Sequence, residues 1–198
     1  KTSLGEVKNR ADFVVFWGSN PTDAHIRHIV RYSVTPKGLY VKDGRKGRYV
    51  VHVDVRETQT SRVADQFVKV DHGGDFELLL ALRAAVRGNT IKKDVSGVTA
   101  EEINNLAAKM KKAKMGIVFF GLGLTQSDGK HMNIDAAVGL VAELNHHTKF
   151  VLTPMRGHYN VAGANSVTAW QTGYPYAVDF ARGYPRYNPG EYTSVDML

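Results

Sequence analysis

The chain has no cysteine among its 198 residues. It therefore forms no disulfide, offers no thiolate to zinc or to an iron–sulfur cluster, and has no cysteine nucleophile. It also lacks any apolar run near the ~18 residues that a membrane-spanning helix needs. No secretion signal is visible, and the first residue is Lys1 rather than methionine. We therefore expect a fragment or a processed product that resides in the cytoplasm.

Acidic residues are fewer than basic ones, with 19 Asp and Glu against 26 Lys and Arg, so the net charge is +7. Two interpretations stay open: solvated surface lysines, or an anionic partner such as a nucleotide cofactor, a nucleic acid or an acidic subunit. The basic residues are scattered, without the interleaved aromatic residues that hold single strands. We therefore expect no nucleic-acid partner.

Several catalytic signatures are absent as well. The chain has no Gly-x-Ser-x-Gly elbow, no Walker loop and no His-Glu-x-x-His motif. Its eight histidines do not follow the spacing of metal ligands. The sequence therefore predicts no metal site built from this chain alone.

Apolar runs alternate with segments of helical periodicity along most of the chain. Strands alternating with helices of this length predict a parallel sheet, and right-handed crossovers place helices on both of its faces. We therefore predict an α/β fold with a doubly wound, mostly parallel, Rossmann-like sheet. The predicted strands are 11–18, 48–55, 64–70, 115–120 and 149–153, and the predicted helices are 23–33, 76–87, 100–113 and 133–147.

Two domains follow from this pattern. We expect residues 1–173 to form an α/β cofactor-binding domain. Residues 174–198 are rich in Tyr, Pro and Gly and have no period. We expect them to form an irregular arm that continues into a missing domain.

Polar or glycine-rich loops follow four of the predicted strands, at 18–21, 54–58, 121–126 and 156–160. Such loops hold ligands at the carboxyl edge of open α/β sheets. Glycine lets the backbone approach a ligand, helix N-termini favour phosphate, and an Asp at a strand end suits a ribose hydroxyl or a base. Structural interpretations stay open, with Gly18 and Gly121 as strand terminators and Asp54 as a cap. Gly121-x-Gly123 also lacks the third glycine of the dinucleotide fingerprint.

The loops at 18–21, 54–58, 121–126 and 156–160, taken in their order along the chain, resemble those of the dimethyl sulfoxide reductase family of molybdenum or tungsten oxidoreductases. Within it they resemble most the B subunits of formylmethanofuran dehydrogenases. The stretches that carry this resemblance are GLGLTQSDGKHMNIDAA (121–137), PMRGHYNVAGAN (154–165) and WQTGYPYAVDFARGYPRYNPGEYTSVDML (170–198). The resemblance covers nearly the whole chain.

The resemblance implies a function and a cofactor. These enzymes reduce carbon dioxide, via formate, to the formyl group of formylmethanofuran in archaeal methanogenesis. Their cofactor is a bis-pyranopterin guanine dinucleotide with tungsten or molybdenum. Family chains are about twice this length, as expected for multi-domain enzymes, and carry an iron–sulfur region and a Cys or selenocysteine metal ligand. We therefore expect a central fragment of the catalytic subunit, inactive alone, whose partners are the other formylmethanofuran dehydrogenase subunits.

Position by position, the resemblance implies that cofactor contacts come from Gly18, Asn20, Asp54, Arg56, Thr58, Gly74, Asp75, Gly121, Gly123, Gln126, Asn160 and Gly163. It implies that Arg156 lies near the metal, where its planar fork would hold formate or a bound carbon dioxide adduct. His158 is a candidate for proton transfer. The family pattern usually has Gln-Asn after Arg-Gly, where this chain has His158 and Tyr159. A structural ion pair beneath the loop is the open alternative for Arg156.

Two other functions stay open at this point. One is a Rossmann-like module that binds NAD or another nucleotide without a redox metal. The other is a subunit-assembly domain whose basic surface and C-terminal arm dock on partner subunits. The missing third glycine speaks against the first of these.

Overall fold

The structure, a computed structural model, describes residues 2–157 and 160–193. The chain divides into two compact units, Lys1–Met155 and Arg156–Leu198. His158, a predicted site residue, lies outside the described residues. The predicted domain boundary after residue 173 stays a prediction. No helix in the described part of the chain is both long enough and apolar enough to cross a membrane.

The first unit is built on a five-stranded sheet in which every pairing is parallel. Its spatial order is β3-β2-β1-β4-β5. The prediction of a doubly wound parallel sheet is therefore confirmed. The strands are β1 (Phe13–Trp17), β2 (Tyr49–Asp54), β3 (Gln66–Lys69), β4 (Met115–Phe120) and β5 (Lys149–Pro154).

Seven helices of the first unit connect or flank these strands. They are α1 (Leu4–Arg10), α2 (Pro21–Ala24), α3 (Gln59–Val63), α4 (Asp75–Val86), α5 (Ala100–Lys112), α6 (Leu122–Gln126) and α7 (Lys130–Leu144). A π-helical turn at Ile29–Ser33 and a 3₁₀ turn at Gly44–Gly47 complete it. The predicted start of α5 is confirmed, because the Thr99 hydroxyl accepts from the amide of Glu102 at 3.2 Å.

The two faces of the sheet are covered by different helices. Along β1 every residue is buried, as its unbroken apolar run predicts for a central parallel strand. Trp17 and its same-face neighbours pack with residues of α4, α5 and α7. Phe16 packs on the other face with residues of α1 and of the π-helical turn. The sheet is therefore packed on both of its faces.

The predicted helix 23–33 is wrong in extent. Helix α2 ends at Ala24, and the chain re-enters helical geometry only in the π-helical turn. Of the three apolar residues that would share one face of such a helix, Ile29 is buried, whereas Ile26 and Val30 are 70% and 57% exposed. The periodicity of apolar residues does not distinguish one long helix from two short helical turns. Tertiary packing therefore determined which of the two forms.

Arg48 was predicted as the first residue of a strand, but it is a buried residue that connects two segments of the chain through hydrogen bonds. Its side chain is only 4% exposed. Its guanidinium donates to the carbonyl oxygens of Lys8 (2.6 Å), Ala11 (3.1 Å), Val34 (3.2 Å) and Pro36 (2.6 Å). The five fixed donors of arginine suit such a set of acceptors. Arg48 thus joins α1 to the loop that precedes β2.

The second unit contains a helix and a short ribbon that the sequence analysis did not predict. Helix α8 spans Val161–Thr172, and strands β6 (Val178–Asp179) and β7 (Arg186–Tyr187) pair antiparallel. The rings of Tyr174 and Tyr187 stack with centroids 4.9 Å apart. Arg186 pairs with Asp179 across the ribbon. Aromatic stacking and this ion pair order the segment in place of a periodic apolar core.

Candidate functional site

The loops that follow β1 and β4 lie side by side at the carboxyl edge of the sheet. The amide of Gly121 donates to the carbonyl oxygen of Trp17 at 3.0 Å. The amide of Gly123 donates to the carbonyl oxygen of Gly18 at 2.9 Å. The strand order reverses direction between β1 and β4, so this is the topological switch point at which open α/β sheets bind ligands.

Three glycines make this close approach of backbones possible. Gly18 has a φ of +53°, and a Cβ atom there would lie 2.4 Å from the Leu124 nitrogen. A Cβ on Gly121 or Gly123 would lie 2.5 Å or 2.7 Å from backbone atoms of Gly18. The three glycines are therefore needed for the packing of one loop on the other. The Gly123 amide hydrogen is engaged in that packing.

A cleft of about 230 Å³ opens at this point, and we call it the switch-point cleft. It collects five of the predicted cofactor-binding residues from four different segments of the chain. Gly73 and His72 of the loop after β3 also line it, whereas Gly74 fits tightly against Ser96. The five predicted residues in its lining are Gly18, Asp54, Asp75, Gly123 and Gln126.

Asp75 is a buried carboxyl group at the cleft, 4% exposed, and it begins α4. Its Oδ1 atom accepts a hydrogen bond of 2.7 Å from the indole nitrogen of Trp17. Burial raises the pKa of Asp75, and the charge of Asp54 raises it further, while hydrogen bonds from Trp17 and Ser127 act in the opposite direction. Asp75 is thus the more readily protonated of the two acids.

The pKa of Asp54, the last residue of β2, is shifted in the opposite direction. Burial acts to raise its pKa, but the neighbouring His52 and the amides of Arg56 and Val55 together lower it below the ordinary value. The Arg56 amide donates to Oδ1 at 3.4 Å, and Nε2 of His52 lies 3.6 Å from Oδ2. The cleft therefore presents one carboxylate held in its charged form beside a second acid whose ionisation is opposed.

A second pocket of about 290 Å³ adjoins the end of β2, and we call it the arginine pocket because Arg56 and Arg62 line it. Asn20 and Thr58 also line it. The Asn20 side chain donates to Asp23 at 2.6 Å and accepts from the hydroxyl groups of Thr22 and Thr60, each at 2.6 Å.

Thr58 caps α3, since its hydroxyl accepts from the Thr60 amide at 3.1 Å. The polar groups of Asn20 and Thr58 therefore shape the arginine pocket, and Arg56 and Arg62 are the exposed groups that can bind an anion.

The remaining predicted site residues belong to the second unit. Asn160 is in the left-handed conformation, with φ +45°, at the N-cap of α8. Gly163 leaves room for the Asn160 side chain, since a Cβ there would lie 2.4 Å from its amide nitrogen. In the amide orientation that satisfies both of its polar atoms, Asn165 accepts from Nη1 of Arg156 at 2.9 Å and donates to the Val161 carbonyl at 3.3 Å. Helix α8 thus orients the Arg156 guanidinium.

Sequence reasoning missed three residues that build the site. Trp17 and His52 were assigned only to buried strands. Asn133 was assigned only to the start of a helix, yet it is fully buried and donates to the Leu124 carbonyl (2.9 Å) and to the Ser127 hydroxyl (2.7 Å). It thereby fixes the loop around α6. An amide on the apolar face of a helix, in line with Ala136 and Ala137, is the signal that could have revealed it.

Comparison with known proteins agrees with this architecture. No protein-family model matches the chain. The chain is 53% identical over 198 residues to the B subunit of the tungsten-containing formylmethanofuran dehydrogenase 2 of Methanococcus maripaludis, covering 100% of this chain and 46% of that protein. It is 25% identical over 202 residues to formate dehydrogenase H of Escherichia coli, covering 87% of this chain and 27% of that protein.

The formyltransferase/hydrolase complex of Methylorubrum extorquens, solved with methylofuran, contains a chain of similar fold. The TM-score is 0.70 at 20% identity, covering 99% of this chain and 51% of that one. At this identity the likeness supports the fold alone. The resemblance to B subunits of formylmethanofuran dehydrogenases is confirmed by the 53% identity. The chain spans about half the length of the curated B subunit that it matches, which fits the expected fragment.

Proposed function

We propose that the chain is the cofactor-binding part of the catalytic B subunit of a tungsten- or molybdenum-containing formylmethanofuran dehydrogenase. In the cytoplasm, the complete enzyme would reduce carbon dioxide, via formate, to the formyl group of formylmethanofuran, the first step of methanogenesis from carbon dioxide. The observation that carries the proposal is the 53% identity to such a protein over the full chain. The switch-point cleft supports it, because that is where this fold class binds nucleotides.

The side chains of the switch-point cleft fit the organic part of a bis-pyranopterin guanine dinucleotide. Asp54 and Asp75 both line it, and no lysine or arginine is among the described residues that do so. Carboxyl oxygens accept hydrogen bonds from ring N–H groups, such as those of guanine or a pterin, and from ribose hydroxyl groups. The same oxygens would repel a phosphate. The cleft is therefore suited to a base, a pterin ring or a ribose.

The arginine pocket fits the phosphate part of the same cofactor. Arg56 follows Asp54 by two residues, so a ligand that reaches both groups would run along the end of β2. Guanidinium groups bind phosphate oxygens through two parallel hydrogen bonds. Two acids, Asp23 and Glu57, also line this pocket. Asp23 is engaged by Asn20 at 2.6 Å, and Glu57 is exposed to solvent. The switch-point cleft would thus accept hydrogen bonds from the ligand, whereas the arginine pocket would donate hydrogen bonds to it.

Arg156 is the candidate for substrate binding. Its planar fork matches a one-carbon carboxylate, and its orientation is set by Asn165. The bound metal–pterin group would supply the redox chemistry, while this chain's residues bind, orient and shield. His158, which precedes Asn160 by two residues, is the candidate for proton transfer.

Metal and cofactor analysis of the purified enzyme that contains this chain tests the proposal. We expect tungsten or molybdenum, together with a pterin and guanosine monophosphate after acid hydrolysis, and copurification with further subunits. An active enzyme with neither metal nor pterin would overturn it. Stoichiometric NAD in place of the pterin would instead support the nucleotide-binding module.

A further inference from the structure

A buried histidine lies between Asp54, which lines the switch-point cleft, and Ser61 of helix α3. His52 lies in β2 and is fully buried, with its ring against that of Phe67. Its Nδ1 atom lies 2.9 Å from the hydroxyl oxygen of Ser61 in α3. That oxygen also accepts from the amide of Thr58 at 2.9 Å. Ser61 is therefore fixed by the cap of α3, beside the arginine pocket.

The other nitrogen of His52 faces Asp54, which lines the switch-point cleft. Nε2 lies 3.6 Å from Oδ2 of Asp54, just beyond hydrogen-bond distance, and it has no hydrogen-bond partner among the described residues. A nitrogen lone pair directed at a carboxylate would be repelled, so the proton belongs on Nε2. Nδ1 is then the acceptor, and it receives the hydroxyl proton of Ser61, whose oxygen lone pair is held by the Thr58 amide.

We propose that His52 is a positioning residue which, with its tautomer fixed by Ser61, orients the Asp54 carboxylate toward the ligand of the switch-point cleft. The Asp54 side chain is 16% exposed, so it has one side in the protein and one in the cleft. His52 lies next to Oδ2, and the Arg56 amide donates a hydrogen bond to Oδ1. This inference rests on the proposed function, because it assumes that the cleft holds the nucleotide part of the cofactor.

The carboxyl group of Asp75, which lines the same cleft, explains why such support is needed. Whenever Asp75 ionises, the two negative charges repel each other, and this favours rotation of the Asp54 carboxylate away from Asp75. An N–H dipole directed at Oδ2 opposes that rotation and keeps Asp54 charged. Without it, Asp54 would hold the N–H donors of a base or a pterin less tightly.

Two substitutions separate this role from simple packing. The amide nitrogen of glutamine can take the place of Nε2, so His52→Gln retains a donor toward Asp54. The amide of asparagine can take the place of Nδ1 only, so His52→Asn retains the contact with Ser61 and loses the donor. Ser61→Ala is a milder variant that leaves the strand core intact and releases the tautomer.

The test measures guanine nucleotide retention in the complete purified enzyme. Each variant is held at elevated temperature, passed over a desalting column and analysed for guanosine monophosphate after acid hydrolysis, with Tm measured on the same sample. We expect His52→Asn to lose nucleotide at least fivefold faster than wild type at similar Tm. His52→Gln should behave like wild type, and Ser61→Ala should fall between them.

A double-variant comparison then shows whether His52 acts through Asp54. In an Asp54→Asn background, His52→Asn should add no further loss. Equal retention by His52→Asn and wild type would overturn the inference, as would equal losses of nucleotide and Tm in the Asn and Gln variants. A wild-type enzyme without any guanine nucleotide would overturn the proposed function itself, and this inference with it.

Discussion

The indole nitrogen of Trp17 donates a 2.7 Å hydrogen bond to Oδ1 of Asp75, although 58 positions separate the two residues. Trp17 ends the central strand β1, and Asp75 begins helix α4. The bond ties the first turn of that helix to the middle of the sheet edge. It also keeps a buried carboxyl group at the switch-point cleft, where Asp75 forms no ion pair with any of the described residues.

Asp75→Asn should stabilise the fold and weaken cofactor binding. Burial holds the pKa of Asp75 above its ordinary value of 3.8, so the folded protein binds a proton that the unfolded chain releases. Wild-type stability therefore falls as the pH rises above that value, whereas Asn does not titrate. We expect the free energy of unfolding to rise by about 1 kcal/mol at pH 7. Urea unfolding at pH 4 and at pH 7 measures it.

Trp17→Phe removes the donor of the hydrogen bond to Asp75. It keeps an aromatic ring in the core and removes the N–H group, so Asp75 is left without that partner. We expect a loss of about 1–3 kcal/mol, and a smaller loss when Asp75 is already Asn. Greater stability of Trp17→Phe than of wild type would contradict the account of this bond.

Gly123→Ala should disrupt the contact between the β1 and β4 loops. The new methyl group would meet backbone atoms of Gly18, which cannot rotate away as a side chain can. We expect a loss of about 1–3 kcal/mol, as for overpacked cores, together with loss of bound cofactor. Gly5→Ala is the control, since its Cβ would meet nothing closer than 3.8 Å and lies within α1. Equal melting temperatures for both variants would contradict the prediction.

Arg48→Lys should destabilise the first unit although it retains the positive charge. An ammonium group has three donors and no planar fork, so it leaves some of the four carbonyl oxygens unpaired in the interior. Burial already lowers the pKa of Arg48. We expect a loss of about 2–3 kcal/mol, measured by urea unfolding. The exposed Arg27→Lys is the control and should change stability by less than about 0.5 kcal/mol.

Arg156→Lys should lower turnover and leave the fold intact. Lysine cannot reproduce the fork that would hold formate or carbon dioxide, and it cannot keep the same contact with Asn165. We expect turnover to fall on the order of tenfold or more, about 1.4 kcal/mol in the transition state, with unchanged cofactor content. Steady-state assays and Tm on one preparation measure this. Reduced Tm or cofactor loss with unchanged activity per bound metal would assign Arg156 a structural role.

The strands were predictable from the sequence because each is a short apolar run bounded by turns. β1 and β4 are buried on both faces, so their composition reports their environment directly. The position of the loops after β1, β2 and β4 at one edge of the sheet then followed from fold-level rules. The local pattern of apolar residues was sufficient to predict an element wherever burial alone determined its conformation.

The site itself depended on contacts between distant parts of the chain. Arg48 and His52 read as parts of one strand, and nothing local shows that four carbonyl groups surround the first or that Ser61 and Asp54 flank the second. Asn20 has a polar side chain suited to a ligand, yet its neighbours Asp23 and Thr60 engage it. Partners of polar groups are set by tertiary structure, which sequence spacing does not encode.

The position of the cofactor is the most direct test of the central claim. An experimental structure of the purified enzyme, with the heavy metal located by anomalous scattering, would show which residues contact each part of it. The account predicts ring N–H or ribose groups against Asp54 and Asp75, and phosphate oxygens against Arg56 or Arg62. A cofactor that lies away from the carboxyl edge of the sheet, leaving the switch-point cleft to solvent, would contradict it.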